Sequence, residues 1–275
     1  MTGVASDPEL VVEPGGTSPL RLAREVRRSW PLVVALARKS FFVQYRRTVF
    51  GLFWAVGLPV LQALILAFVF SRVARFGVPH YPAYVISGMV PWTYFTSTLM
   101  VGTTSVVDSS ALASKIYFPR AVLPLSMSLT NAYGLGIGTV VTVGFAACYG
   151  AGPGWRTLLV IPAVLLLVLL ASSFALALSV AQVYLRDTRY FVTAATLGWL
   201  WITPVVYPYS QVHGVLRALL VANPMSGVVE LLHAAVYTTA IPDGLVLTTV
   251  GWTAGLAVLA VALHSRYDRS LVDLL

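Results

Sequence analysis

The sequence has 275 residues, 58% hydrophobic and only 10% charged, with a mean hydropathy of +0.82. Soluble domains carry about 25% charged residues, so the chain reads as an integral membrane protein and not as a soluble enzyme. Its net charge of +8 does not argue for nucleic acid, because Arg and Lys gather beside apolar stretches, which is how membrane topology distributes charge.

Residues 1–20 hold Asp7, Glu9, Glu13 and several Pro and Gly without an apolar core, and they read as a disordered cytoplasmic tail rather than a signal peptide. The stretch 21–50 mixes Arg21, Arg24, Arg27, Arg28, Arg38, Lys39, Arg46 and Arg47 with Trp30, Phe41, Phe42 and Tyr45. That mixture suits an amphipathic helix in the membrane interface. Its wheel is imperfect: Leu32, Leu36 and Val43 share one face while Val34 and Phe41 fall opposite, and a plain basic anchor before the first span stays open.

Gly51 to Phe70 is the first predicted crossing, bounded by Arg72 and Arg75. Pro79 and Pro82 mark a loop, and Tyr84 to Val107 forms the second crossing, interrupted at Pro91 and Trp92. After a short polar-to-basic link, Asp108 to Arg120, the third crossing runs from Ala121 to Tyr149. Its Gly134 and Gly138 form a GxxxG, which serves packing within the subunit or a dimer seam. A turn at Gly150 to Gly154 leads into the fourth crossing, Trp155 to Tyr184.

The charged turn Arg186, Asp187, Arg189 opens the fifth, whose uncharged part is Phe191 to Val206. With its flanks that part approaches the length needed to cross ~30 Å of hydrocarbon. Trp199, Trp201, Tyr207 and Tyr209 gather at its far end, as interfacial aromatics do. Two shorter apolar pieces, Gln211 to Ala222 and Met225 to Ala240, flank Asn223 and Pro224 and predict a re-entrant pair of half-helices within 208–242. Gly244 to Leu263 is the sixth crossing, and 264–275 is a polar tail. The expected fold is therefore all-α, with a six-helix transmembrane domain over 51–263. Placing both termini in the cytoplasm puts fourteen of the eighteen basic residues inside and leaves Arg72, Arg75, Arg156 and Arg217 outside.

Catalytic chemistry is sparse. No GxxxxGK[ST] occurs, so the chain has no phosphate loop of its own. Cys148 is the single cysteine and His80, His213, His233 and His264 are scattered, so no metal site is expected. The acids between Glu25 and Asp268 are Asp108, Asp187, Glu230 and Asp243, at span ends or in the half-helix region, which argues against ion-coupled transport; Glu230 alone keeps that option open.

Six segments occur in order: RRTVFGLFWAVGLPVLQALILAFVFS from Arg46, YPAYVISGMVPWTYF from Tyr81, ASKIYFPRAVLPLS from Ala113, YLRDTRYF from Tyr184, TPVVYP from Thr203 and NPMSGVVELLHAAV from Asn223. Together they resemble the membrane subunit of bacterial type-2 ABC exporters for lipid-linked polysaccharides, the O-antigen and teichoic acid permeases. The resemblance implies a homodimer in the bacterial cytoplasmic membrane. It also implies two copies of a separate ATPase subunit that hold the ATP and Mg, with no cofactor in this chain and a lipid-linked glycan as cargo.

On the same footing, Ser114 to Arg120 would couple to the ATPase, with Lys115, Ile116, Tyr117, Phe118, Pro119 and Arg120 as its residues, unless the segment is an ordinary basic loop. Tyr117 and Phe118 would be its apolar knob and Lys115 and Arg120 its charged flanks. Trp30 to Arg47 would be the interface helix against the same partner. His233 stands where that family leads one to expect a basic residue.

A glycan has CH-rich faces that stack on rings, so Phe53, Trp54, Trp199, Trp201, Tyr207 and Tyr209 are candidate pathway residues; a lipid-facing aromatic belt is the other reading. Arg38, Lys39, Arg46 and Arg47 would draw the anionic lipid diphosphate. Arg186, Asp187 and Arg189 would gate, contact phosphate, or form a helix-capping ion pair. A drug or small-lipid exporter is the alternative cargo class. A membrane-embedded glycosyltransferase would need a carboxylate cluster that is missing from the sequence.

Overall fold

A computed structural model describes residues 18–46, 48–73, 76–113, 118–148, 154–237 and 243–267. These residues are mostly helical, without a strand among them. The expected tail over 1–20 falls almost wholly outside them, as do residues 268–275 of the polar C-terminal segment.

The basic N-terminal stretch is two helices. Ser18 caps α1 (Pro19–Arg28) by accepting a hydrogen bond from the Arg21 amide, and the chain breaks at Ser29 before α2 (Trp30–Tyr45). Pro31 explains the break, since it has no N–H to give to a preceding turn. In α2 the buried positions are Val33, Ala37 and Phe41, a strict every-fourth stripe. The face proposed from Leu32, Leu36 and Val43 is thereby corrected: Phe41 points inward and Val43 outward, because Phe41 has the Tyr133 ring to pack on, at 5.0 Å.

After a 3-10 turn over Gly51–Phe53, α3 (Trp54–Val73) leads to α4 (Tyr81–Asp108). The interruption expected at Pro91 does not occur. Helix α4 runs unbroken through Pro91, because the carbonyl that proline leaves free lies inside a protein bundle. A single turn, α5 (Ser110–Ala113), precedes α6 (Val122–Cys148); a 3-10 stretch over Trp155–Leu159 then feeds α7 (Val160–Tyr184). Next come α8 (Thr188–Trp199), α9 (Gly214–Ala222), α10 (Pro224–Tyr237) and α11 (Asp243–Tyr267). Helix α11 extends past the predicted boundary at 263, with His264 and Ser265 buried.

Among the described residues four segments are long and apolar enough to cross a membrane, namely 54–72, 122–148, 155–184 and 244–267; the pair α9–α10, bent by 92°, is a further candidate. The chain is a multi-pass membrane protein. Helix α4, at 28 residues, is long enough but not apolar enough to stand among these, and its position accounts for that. It packs against α3, α6, α7, α8 and α10, so its hydroxyls meet protein instead of lipid. Tyr94 and Ser128 hydroxyls lie 2.8 Å apart and Ser128 and Ser172 hydroxyls 2.7 Å apart, which ties α4, α6 and α7 by one polar thread.

Glycines set the closest approaches. A Cβ on Gly102 would stand 2.5 Å from the Ala175 Cβ, so α4 and α7 touch nearly backbone to backbone. In the GxxxG, a Cβ on Gly138 would meet Val90 at 2.8 Å whereas one on Gly134 would find only Ala55, at 3.9 Å. Gly138 is thus spent on packing within the subunit.

The bundle has two distinct ends. One gathers Val33 of α2, Val106, Phe118, Val122, Leu123 and, packed beside them, Val183. The other gathers Phe76, Tyr81, Tyr84, Val206 and Tyr237. Arg120, Arg186, Arg189, Arg266 and the basic residues of α1 and α2 belong to the first end. Arg72, Arg156 and Arg217 are the described basic residues of the second.

Candidate functional site

At the first end, the turn between α7 and α8 presents Arg186, Asp187 and Arg189, all exposed. No ion pair joins them. Elsewhere Arg21 pairs with Glu25 at 3.0 Å, and His233 Nδ1 lies 3.7 Å from the Glu230 carboxylate, an ion pair only when the imidazole is protonated. What holds the turn is Gln182, which the sequence reading passed over: its Nε2 donates to the Arg186 carbonyl at 3.0 Å and its Oε1 accepts from the Arg189 amide at 2.8 Å. The signal was one amide in the last turn of an otherwise apolar helix. Arg189 lies over the Tyr190 ring at 4.7 Å and donates to its hydroxyl. Replacing Gln182 with Leu should lower stability by about 1–3 kcal/mol, since two backbone groups lose partners. Arg186→Gln should stay within about 0.5 kcal/mol, as exposed sites do. Thermal unfolding of the purified protein checks both.

Along α2, Arg38 and Lys39 are exposed, as is Arg46 at its C-cap, while Arg47 lies outside the described residues. Arg38 rests over the Phe42 ring at 5.8 Å, and Trp30, 48% exposed, opens the helix. Lys115, Ile116 and Tyr117 also lie outside the described residues. Phe118 and Arg120 do not project as knob and flank: they are 5% and 3% exposed, and Arg120 bonds the Phe118 carbonyl while its guanidinium covers the Phe118 ring at 5.1 Å. Phe118 packs with Val33, Val106, Val122 and Leu123, a pocket that water would otherwise have to leave empty or fill. Pro119 is buried beside them.

The fifth segment is only partly helical. Helix α8 ends at Trp199, a 3-10 turn covers Leu200–Ile202, and the chain continues without helix past Pro204 and Pro208. Thr203 is extended, at φ −120° and ψ 134°, as a residue before proline prefers. Twelve helical residues span ~18 Å, short of ~30 Å of hydrocarbon. Side chains replace the missing ladder. Asn223 Nδ2 donates to the Ile202 carbonyl at 2.7 Å, Tyr207 to that of Trp201 at 2.7 Å, Tyr84 to that of Tyr207 at 3.3 Å, and Tyr81 to that of Val206. Asn223, between α9 and α10, also donates to Thr203 Oγ1 and accepts from Trp199 Nε1 and the Met225 amide, which completes all four of its bonds.

These contacts sort the candidate aromatics. Trp199 is a structural anchor, edge-on to Phe95 and Phe174 at 5.3 and 5.7 Å. Tyr207 and Tyr209 are half-buried, the latter under Arg217 at 4.8 Å. Phe53, Trp54 and Trp201 remain exposed, Phe53 and Trp54 within one cluster with Phe50. Close by on α10, Glu230 and His233 are buried 3.7 Å apart, with the His233 ring stacked on Tyr84 at 3.8 Å.

A cavity of about 170 Å³ opens between the end of α2, the start of α3 and the facing sides of α4 and α6. Gln44, Tyr45, Trp54, Thr93, Ser97 and Asn131 are among its lining residues, and none of the described lining residues is charged. Burial pushes the Tyr45 hydroxyl above its ordinary pKa, so it stays a proton donor at its rim.

The sequence pattern of the ABC-2 type transporter family matches residues 31–237. The chain belongs to that family. The match runs from the first turn of α2 to the end of α10, so it takes in the cavity, the Gln182 turn and the Asn223 elbow, and leaves α1 and α11 beyond it. This ABC-2 chain is 28% identical over 226 residues to the O-antigen export system permease protein RfbA of Myxococcus xanthus, covering 82% of this chain and 87% of that protein. Two proteins of the same name from Klebsiella pneumoniae are 27% and 26% identical, each over 72% of this chain and 77% of its own length.

Proposed function

We propose that this chain is the permease subunit of an ATP-driven exporter that carries a lipid-linked polysaccharide outward across the cytoplasmic membrane of a bacterium. The observation that carries the reading is the near full-length similarity to O-antigen export permeases, joined to an ABC-2 pattern over most of the chain. The cargo is of the O-antigen, teichoic acid or cell-wall galactan type. Two copies of the chain form the pathway, and two copies of an ABC ATPase supply ATP and Mg, which this chain has no loop to hold.

The topology we infer has six crossings with both termini in the cytoplasm. The concentration of basic residues at the α2 end supports that orientation. Helix α8 and the extended chain after it make the fifth crossing, because they lead from the Gln182 turn at one end to Tyr81 at the other. The bent pair α9–α10 is then re-entrant. Gln211, just before it, bonds the Phe76 carbonyl and Tyr237, at its close, bonds the His80 carbonyl, so both ends meet one rim while Asn223 reaches down to Trp199. In this arrangement the ATPase docks against α2 and the segment 114–120. Phe118 and Arg120, rooted in the bundle, carry its movement into α4 and α6. Arg38, Lys39, Arg46 and Arg47 face the diphosphate of the incoming lipid, and Phe53, Trp54 and Trp201 are the rings left free to line the pathway.

Purification of the tagged chain from its native membranes should recover an ATPase subunit in equal amount. Its hydrolysis should rise on adding polyprenyl-diphosphate-linked glycan. Recovery of the chain alone, under conditions that keep other membrane complexes whole, would overturn the reading.

A further inference from the structure

We infer that the cavity between α2, α3, α4 and α6 is a binding site for one neutral sugar residue, the one next to the diphosphate of the lipid-linked cargo. The inference rests on the export reading for the identity of that cargo and on the cavity alone for the chemistry it selects. Four polar side chains line it without internal partners: those of Gln44, Tyr45, Thr93 and Ser97 make no hydrogen bond among the described residues. Thr93 and Ser97 stand one helical turn apart on the same face of α4, opposite Asn131, whose Nδ2 is held by Thr98 at 3.2 Å and whose carbonyl oxygen is left to the cavity. Polar groups at membrane depth are costly unless water or a ligand meets them.

Shape and charge narrow the ligand. Gly134 leaves the α6 wall without a side chain, and Trp54 and Tyr45 contribute rings to the lining, so the space takes a ring with a hydroxylated edge and an apolar face. Its volume of about 170 Å³ has room for one pyranose or several waters. Among the described residues the lining has no cation to neutralise a phosphate. Arg46, exposed immediately after Tyr45, lies outside the cavity, so a diphosphate would stop at the mouth while the sugar enters.

The test uses the chain assembled with its ATPase partner in nanodiscs of phosphatidylethanolamine and phosphatidylglycerol. Three probes are titrated: polyprenyl diphosphate, the same lipid carrying one N-acetylhexosamine, and a monoglucosyl diacylglycerol. The glycosylated polyprenyl lipid should bind about tenfold more tightly than the bare one, the worth of roughly two net hydrogen bonds. The near-isosteric double variant Thr93→Val/Ser97→Ala should erase most of that ratio, and Gln44→Leu at the exposed rim, where folding is not at stake, should reduce it about threefold. Equal binding of both polyprenyl lipids to the natural protein, or an unchanged ratio in both variants, overturns the site while leaving the export reading in place. Equal competition by the glucosyl diacylglycerol overturns the assignment to cargo. If neither polyprenyl lipid binds, the export reading itself falls with it.

Discussion

Asn223→Leu should destabilise the protein more than any other single polar substitution in the described chain, by about 2–4 kcal/mol. Leucine fits the space of asparagine but strands three groups at once, the Trp199 indole N–H, the Met225 amide and the Ile202 carbonyl, and takes one of two partners from the Thr203 hydroxyl, which still donates to the Trp199 carbonyl. Each buried group left without a partner costs about 1–3 kcal/mol in water-soluble proteins. Side-chain hydrogen bonds within membranes average nearer ~0.6 kcal/mol, which sets the lower bound. Even that lower bound is a sizeable share of a total stability of ~5–15 kcal/mol. Thermal unfolding in detergent, with Gln211→Leu as an exposed comparison, reads the effect. A melting temperature for Asn223→Leu within a degree of the natural protein would show that the elbow is held by packing and not by this amide.

Gly227→Ala should also be severe, for a reason of space. A methyl there would stand 2.5 Å from the Leu245 carbonyl oxygen, so α10 and α11 would have to part along their contact. Overpacking of this kind costs about 1–3 kcal/mol, and more where the obstacle is backbone that no rotamer change can clear. Gly134→Ala is the informative contrast. Its nearest neighbour within the chain would be 3.9 Å away, so expression and thermal stability should be unchanged. Should Gly134→Ala lower the melting temperature while Gly227→Ala leaves it unchanged, the space around these two glycines would not be what sets the cost.

The apolar runs were readable in the sequence because lipid imposes length and composition on any helix that faces it. That logic found α3, α6, α7 and α11 to within a few residues. It was weakest where protein, not lipid, is the neighbour. Helix α4 keeps Pro91 without a break because the bundle encloses it. Phe118 looked like a knob because nothing local reveals that Val33 and Val106 wait for it. The early end of α8 was foreshadowed by Pro204 and Pro208, yet the residue that makes that end tolerable, Asn223, lies more than twenty positions further on. The cavity was invisible for the same reason: Gln44, Ser97 and Asn131 come from three helices, and only their convergence gives them meaning. Family resemblance supplied the chemistry of the cargo, which no residue pattern encodes by itself.

The unwound stretch after α8 has a consequence for how the protein is made. Its carbonyls are capped by Tyr81 and Tyr84, already synthesised when it emerges from the ribosome, and by Asn223, which is not. Until that asparagine leaves the exit tunnel, the Ile202 carbonyl lacks its side-chain donor and the stretch is only partly capped. The stretch should therefore settle fully only when α9 and α10 arrive, so this part of the chain is expected to mature as one delayed unit and not helix by helix.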